Sequence, residues 1–177
     1  MRFGIESNRD EFLDMHGFNH LLNAKQMPGK NRLRYFFEKE DHTRSLFTIA
    51  KYLATMSAES ATTLVVLDNM YIWASGRDEH LIRVVLQSMT DQELDRVTDG
   101  AMFVWERCEA EKAATLYHLA FLFGWDAYIY PSCGDASAFV CHDGFVEIYI
   151  DAEPEAYAVK VEGQTSRNFQ VVGTQGQ

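Results

Sequence analysis

The chain has 177 residues, of which 47% are hydrophobic and 13% aromatic, and this apolar content is enough for the core of one folded domain. Its formal net charge at pH 7 is −10, and the excess acid lies after residue 60, where eighteen acidic residues face seven basic ones. An acid-rich surface repels phosphate backbones and anionic lipid. The charge therefore argues against nucleic-acid and membrane binding and favours a basic protein partner.

The compartment follows from what the chain lacks. No apolar run has the length of a signal-peptide core or of a membrane-spanning helix. The three cysteines, Cys108, Cys133 and Cys141, have no C-x-x-C spacing. We therefore expect a cytoplasmic protein with reduced thiols, and a Cys133–Cys141 bridge across a hairpin is the alternative.

The first part of the chain is predicted to be helical. Apolar residues recur at helical spacing from Asn8 to Lys25, although Gly17 in the middle weakens this helix. Residues 26–31 contain Pro and Gly and predict a turn. A second helix is predicted over Thr43–Met56, where the apolar residues share one face.

The hydrophobic period changes after residue 60. Thr62–Leu67 and Met70–Ala74 are β-branched and aromatic runs joined by Asp68-Asn69, which predicts a hairpin. A helix with an apolar face over Leu81–Met89 follows. A capping box then predicts a short helix over residues 90–100.

The remaining elements are strands around one buried helix. They are a strand over Met102–Trp105, a helix over Glu109–Phe123 closed by Gly124, strands over Asp126–Tyr130, Ala138–His142 and Phe145–Ile150, and a terminal strand over Tyr157–Val161. Asp143-Gly144 is the strongest hairpin signal in the chain. Residues 163–177 are polar and are predicted to form a C-terminal tail.

This order of elements predicts an α/β fold, with α+β as the alternative. We expect a single mixed β-sheet of about five to seven strands with β-hairpins, flanked by helices. Residues 1–162 are predicted to form one domain, with a helical N-terminal part over 1–58 and a sheet part over 62–162.

One stretch resembles a known group of sequences. Residues 102–150 contain Phe123-Gly124-Trp125-Asp126 and, further on, Cys141-His142-Asp143-Gly144. These motifs are similar to a Gly-Trp-Asp and His-Asp pattern in a family of uncharacterised bacterial proteins of unknown function. The resemblance implies a bacterial origin and supports the predicted fold, and it implies no activity.

His16 and His20 are candidate metal ligands. Histidines four residues apart share one face of a helix and can bind a single zinc ion. Gly17 stands where a metalloprotease has its catalytic Glu, so the pattern does not predict a protease. An ordinary pair of surface histidines is the alternative.

Cys141, His142 and Asp143 have the residue types of a nucleophile, a base and an orienting group. Neighbouring residues of a strand point to opposite faces, however, so a direct hydrogen bond between Cys141 and His142 is not expected. A partner such as His118 would have to come from elsewhere in the fold. A core thiol beside a turn is the favoured interpretation.

A small basic segment precedes three aromatic residues: Lys25, Lys30, Arg32 and Arg34, then Tyr35-Phe36-Phe37. Such a combination can contact phosphates and stack bases. The charges are few and the protein is acidic, so a solvated loop leading into an apolar anchor is favoured over nucleic-acid binding.

Three functions remain open. The favoured one is a small acidic protein-binding module, such as an inhibitor, an immunity-type protein or a regulator, with no cofactor. Its expected binding residues are Asp143, Glu147, Asp151, Glu153 and Glu155. The alternatives are a hydrolase that uses His and Cys or a metal bound by histidines, and an oligomer-forming protein whose exposed strand edges pair between copies.

Overall fold

The protein was analysed as a computed structural model, which describes residues 1–21, 27–37, 43–70, 76–90, 92, 94, 99–133 and 136–172. The α-helices of these residues are α1 (Arg9–Met15), α2 (Thr43–Ser57), α3 (Gly76–Met89), α4 (Ala110–Phe123) and α5 (Pro154–Thr165). The strands are β1 (Arg2–Gly4), β2 (Asn31–Phe36), β3 (Thr62–Asp68), β4 (Ala101–Glu106), β5 (Asp126–Pro131), β6 (Ala136–Cys141), β7 (Phe145–Ile150) and β8 (Gln170–Val172).

All eight strands belong to one sheet in the order β1-β4-β3-β5-β6-β7-β2-β8. The predicted α/β class and the single sheet flanked by helices are confirmed, and the strand count is higher than predicted. Each pairing between the described strands is antiparallel, so the sheet is not mixed. β3 and β4, which precede and follow α3 in the chain, are antiparallel neighbours.

The main core lies between one face of the sheet and the helices. α2 packs against α4 and α5, and the strand residues beneath these helices include Val65, Phe103, Ile129 and Ile148, all of them buried. We call this side the helical face. In β2, β6 and β7 the residues that point to it alternate with residues that point away, as in a sheet with a single packed face.

A second apolar cluster covers one end of the opposite face of the sheet. Phe12 and Leu13 of α1, with Phe18, pack on Leu64 of β3 and Val104 of β4 in this cluster. Residues 101–105 of β4 are therefore buried on both faces. That cluster reaches β5 through Tyr130, with Tyr128 packed against it, and it includes no residue of β6, β7 or β2. The candidate site lies on this face over β5, β6, β7 and β2.

Several predicted elements are confirmed. α2 and α4 lie where the apolar periodicity places them, and Gly124 closes α4 in the left-handed conformation at φ 60°. Gly144 has φ 85° between β6 and β7, as the Asp143-Gly144 turn predicts. Cys108, Cys133 and Cys141 are free thiols, so the alternative bridge does not form.

The predicted helix over Asn8–Lys25 is wrong in length. α1 ends at Met15, and Gly17 has φ 77°, a conformation that glycine adopts readily and that ends a helix. A single 3-10 turn over Asn19–Leu21 follows, and residues 22–25 lie outside the described part of the chain.

Of the predicted hairpin over Thr62–Leu67 and Met70–Ala74, the first strand is present as β3, whereas residues 71–74 lie outside the described residues. Both edges of β3 are already paired, one with β4 and the other with β5. Most of the short helix predicted over 90–100 also lies outside the described residues.

The C-terminal predictions are corrected as well. The region of the predicted strand Tyr157–Val161 is helical in α5, which begins with Pro154 followed by Glu155 in its first turn, a common helix start. Within the segment predicted as a polar tail, Phe169 is 2% exposed and β8 pairs with β2. The N-terminal part expected to be helical also contributes β1 and β2 to the sheet.

Candidate functional site

Four aromatic side chains form a contiguous group on the sheet face opposite the helical face. Tyr128 of β5 stacks on Phe139 of β6 with ring centroids 4.6 Å apart, and Phe139 meets Phe145 of β7 edge to face at 6.2 Å. Phe36 of β2 meets Phe145 at 5.7 Å and is 51% exposed. We call these four residues the aromatic face. Antiparallel register places Tyr128 opposite Phe139 and Phe36 opposite Phe145, and Phe139 and Phe145 are diagonal neighbours on β6 and β7.

A buried carboxylate lies on the same side of the sheet. Glu147 is 2% exposed, and it accepts a hydrogen bond of 2.7 Å from Arg34 Nε and a closer contact from Arg34 Nη2. Arg32 Nη1 lies 3.2 Å from the same oxygen, and the Tyr149 hydroxyl donates to the other oxygen. Burial, followed by the hydrogen bond to Glu147, raises the pKa of Tyr149 to about 12. We call these four residues the Glu147 cluster.

Arg34 connects the Glu147 cluster to the aromatic face. Its guanidinium carbon lies 4.7 Å from the ring centre of Phe145 and 5.5 Å from that of Phe36. An arginine fixed by a buried carboxylate keeps its planar face in contact with these rings. The aromatic face is thus held in shape before anything binds to it.

A second polar group lies at the end of the sheet where β5 begins and β6 ends. Asp126 Oδ1 accepts hydrogen bonds from His142 Nδ1 at 2.9 Å and from the His142 backbone N–H at 2.8 Å. Asn69 Nδ2 donates to Asp126 Oδ2 at 2.6 Å. Ligand atoms of Asp126, Cys141 and His142 all lie within 4.8 Å of one another. We call Asp126, Cys141 and His142 the Asp-Cys-His cluster.

The strand register and the turn after β6 explain why the side chains of the Asp-Cys-His cluster lie close together. The register of β5 and β6 pairs Ala127 with Val140, which places Asp126 and Cys141 side by side at the strand ends. β6 ends at Cys141, so His142 is a turn residue. The expectation that neighbouring strand residues point to opposite faces therefore does not apply to Cys141 and His142. Asn69 follows β3 with φ 54°, a left-handed conformation that asparagine tolerates.

The electrostatics of the Asp-Cys-His cluster disfavour a thiolate nucleophile. Burial, assisted by the nearby carboxylates of Asp126, Asp143 and Glu147, raises the pKa of Cys141 to about 11. The hydrogen bond to Asp126 raises the pKa of His142 above its ordinary value. A thiol with this pKa is protonated at neutral pH, unlike the activated cysteines of enzymes.

The predicted metal ligands His16 and His20 both lie beyond the end of α1. Because α1 ends before them, they do not share a helix face; the His16 ring packs edge to face on Phe12, and the His20 ring lies 6.4 Å from that of Phe18. Among the described residues, the group of metal-ligating side chains that does come together is the Asp-Cys-His cluster. His118, considered above as a partner for Cys141, instead contacts the Thr43 carbonyl oxygen at 3.0 Å.

The five predicted acidic binding residues do not form one surface. Asp143 is 72% exposed in the β6–β7 turn. Asp151, Glu153 and Glu155 are exposed at the other end of β7, about 17 Å away by the length of a six-residue strand. Glu153 is at the N-cap position of α5 and Glu155 lies in its first turn, where the helix dipole favours negative charge. Glu147 is buried between them.

Sequence reasoning missed the aromatic face and Asp126. The alternation of Arg32, Leu33, Arg34 and Tyr35 is the period of a half-buried strand and could have identified β2. Lys30 is exposed before β2, whereas Lys25 lies outside the described residues. No local pattern distinguishes Asp126 from the other acidic residues, because its partners come from the ends of β3 and β6.

Comparison with protein-family models, with curated proteins and with solved structures finds no match. The site is therefore interpreted from its own geometry. None of the described helices combines the length and the apolar content that crossing a membrane requires.

Proposed function

We propose that the protein is a protein-binding module and that the aromatic face is its docking surface. The observation that carries the proposal is the continuous contact of Tyr128, Phe139, Phe145 and Phe36 across four strands, on the sheet side away from α2, α4 and α5. Partly exposed aromatic residues next to arginine are typical of the energetically important parts of protein interfaces.

The rigidity of this surface supports the proposal. Arg34 packs against two of the rings and is held by Glu147, so few side chains lose rotamer freedom when a partner binds. A surface that already has its bound conformation loses less conformational entropy when a partner binds.

The chemistry of the surface favours a protein over a nucleic acid. Among the described residues of this surface, the cations Arg32 and Arg34 are both paired with Glu147, which reduces their attraction for phosphate. The chain as a whole carries a net charge of −10. Asp143 is exposed in the turn before Phe145 and would pair with a basic residue of the partner. The expected partner surface is therefore apolar at its centre with a lysine or arginine at its rim.

Site-specific photo-crosslinking tests the proposal. The photoreactive residue p-benzoylphenylalanine replaces Phe36 in one variant and Val159 in the control variant. Val159 is a suitable control because it is 70% exposed on α5, on the helical side of the sheet. Both variants are expressed in the source organism, irradiated and purified through a tag.

We expect one discrete adduct with another protein from position 36 and none from position 159. Loss of that adduct in a Phe145→Ser background would show that the neighbouring ring takes part. The same adducts from both positions, or none from position 36, would contradict the proposal. An adduct at twice the chain mass of 20.3 kDa would instead assign the face to self-association.

A further inference from the structure

The Asp-Cys-His cluster has the composition of a metal site. It offers a thiol, an imidazole and a carboxylate, which are the three ligand types that zinc accepts in proteins. Asp126 and Cys141 are buried, and the His142 side chain is 28% exposed. A metal bound here would be shielded from solvent on the protein side and accessible on the other.

We propose that Asp126, Cys141 and His142 bind a divalent transition-metal ion of the zinc class. The mixed sulfur, nitrogen and oxygen donors argue against magnesium and calcium, which prefer oxygen ligands alone. Three protein ligands leave a fourth position for water or a group from outside. This inference does not rest on the proposed function, because it involves none of the four rings of the aromatic face.

The distances are close to those that a tetrahedral ion requires. At metal–ligand distances near 2.0–2.3 Å, neighbouring ligand atoms are about 3.3–3.6 Å apart. Asp126 Oδ1 and His142 Nδ1 are already 2.9 Å apart, and Asp126, His142 and Cys141 each offer a ligand atom that lies within 4.8 Å of the other two. Small torsional changes of the three side chains would bring the ligand atoms to this spacing.

The surrounding groups fit a cation. Among the described residues, no lysine or arginine forms an ion pair with Asp126 or Asp143. Asn69 holds Asp126 by a hydrogen bond to Oδ2 and leaves Oδ1 facing His142. Carboxylates and amides that orient the ligands in this way are usual around metal sites.

The protons have defined destinations when the ion binds. The Cys141 thiol releases its proton to solvent as the metal–sulfur bond forms. His142 Nδ1 releases to solvent the proton that it donates to Asp126, and Nε2 takes up a proton from solvent, so the bound imidazole is the tautomer protonated at Nε2. Asp143 Oδ1 lies 3.5 Å from Nε2 and would accept the new hydrogen bond. A carboxylate that accepts from the second nitrogen of a metal-bound histidine is a common arrangement.

Zinc and cobalt titrations test this site. Zinc binding to the full chain is measured by competition with a chromophoric chelator. Cobalt binding is followed by the thiolate-to-cobalt absorption band, which appears when a cysteine is a ligand. Cys141→Ala removes the sulfur ligand, and Cys133→Ala is the matched control because Cys133 is an exposed free thiol elsewhere. Far-UV circular dichroism verifies that each variant is folded.

We expect the wild type and Cys133→Ala to bind about one equivalent of metal and to show the same cobalt band. Cys141→Ala should lose the band and bind zinc at least about tenfold more weakly. Asn69→Gly keeps the left-handed backbone at this position but removes the amide, and it should weaken binding about tenfold without loss of the band.

Two results would overturn the proposal. One is a folded wild-type protein that shows no thiolate-to-cobalt band and does not compete with the chelator for zinc. The other is a band that depends on Cys133 rather than on Cys141. Either result leaves the photo-crosslinking experiment at Phe36 unaffected, so failure of the metal site is distinguishable from failure of the proposed function.

Discussion

Glu147 gives the sharpest test of the structure, because sequence and fold assign it different roles. By sequence it belongs to an exposed acidic surface together with Glu155. In the fold it is 2% exposed and contacts Arg34, Arg32 and the Tyr149 hydroxyl. The substitution Glu147→Gln keeps the size of the side chain and removes its charge. Its effect on stability therefore shows whether Glu147 is an exposed surface residue or a buried partner of the arginines.

The expected cost follows from these contacts. Removing one partner of a buried ion pair costs about 3–5 kcal/mol, because the other charge remains without compensation. The side chains of Arg32 and Arg34 are 21% and 26% exposed, so water partly hydrates them when the Glu147 charge is removed. The loss of stability should therefore lie at the lower end of this range. We therefore expect Glu147→Gln to lower the free energy of unfolding by about 3 kcal/mol. For a chain of this size, that corresponds to a fall in Tm of roughly 6–12 °C.

Urea denaturation followed by circular dichroism measures the effect, with Glu155→Gln as the matched control. Glu155 is exposed in the first turn of α5, so its substitution should cost no more than about 1 kcal/mol. Adding Arg34→Met to Glu147→Gln should recover part of the loss, since it removes one uncompensated cation. If Glu147→Gln and Glu155→Gln have the same small effect, Glu147 is not buried in an ion pair and the reasoning is refuted.

Three further predictions concern other parts of the fold. Gly144→Ala should destabilise the protein by about 1 kcal/mol, because Gly144 has a φ of 85°. Gly163→Ala should stabilise it by about 0.5–1 kcal/mol, because Gly163 lies in α5 with open space around it. Denaturation midpoints that shift in the same direction for both variants would contradict this prediction. Phe169→Ala should cost about 3–4 kcal/mol in the same assay, whereas a residue of a polar tail would cost nothing. The Ser60 hydroxyl lies 3.4 Å from the sulfur of exposed Cys133 and lowers the pKa of that thiol. Ser60→Ala should therefore slow the alkylation of Cys133 at pH 7, measured by mass spectrometry. An unchanged alkylation rate would contradict the role of Ser60.

The elements that sequence predicts well depend on contacts between near neighbours. α4 has an apolar pattern that ends at Gly124, and the β6–β7 turn has the residues that positive φ requires at Gly144. Their signals lie within a few residues of the structure that they specify. The same holds for Gly17, whose conformational freedom ends α1 although the apolar spacing continues beyond it.

The elements that sequence prediction missed depend on partners far away in the chain. β2 is a strand because β7 and β8 lie on its two sides, more than a hundred residues later. The Met70–Ala74 run has strand propensity, yet both edges of β3 are occupied by β4 and β5. Strand propensity describes a residue that fits a sheet, and it does not say which strands are neighbours.

By itself, the sequence determined the acidic charge, the α/β class and most of the helices, because composition and periodicity are properties of the chain alone. The tertiary structure decided which charged residues are exposed to solvent and which are buried in ion pairs. Antiparallel register brings Arg34 opposite Glu147 and places Asp126 beside Cys141 and His142. Burial makes Glu147 an internal counterion for the arginines and leaves Asp143 exposed beside the aromatic face. Whether a carboxylate faces solvent or a buried cation depends on pairing across the sheet, which no local pattern encodes.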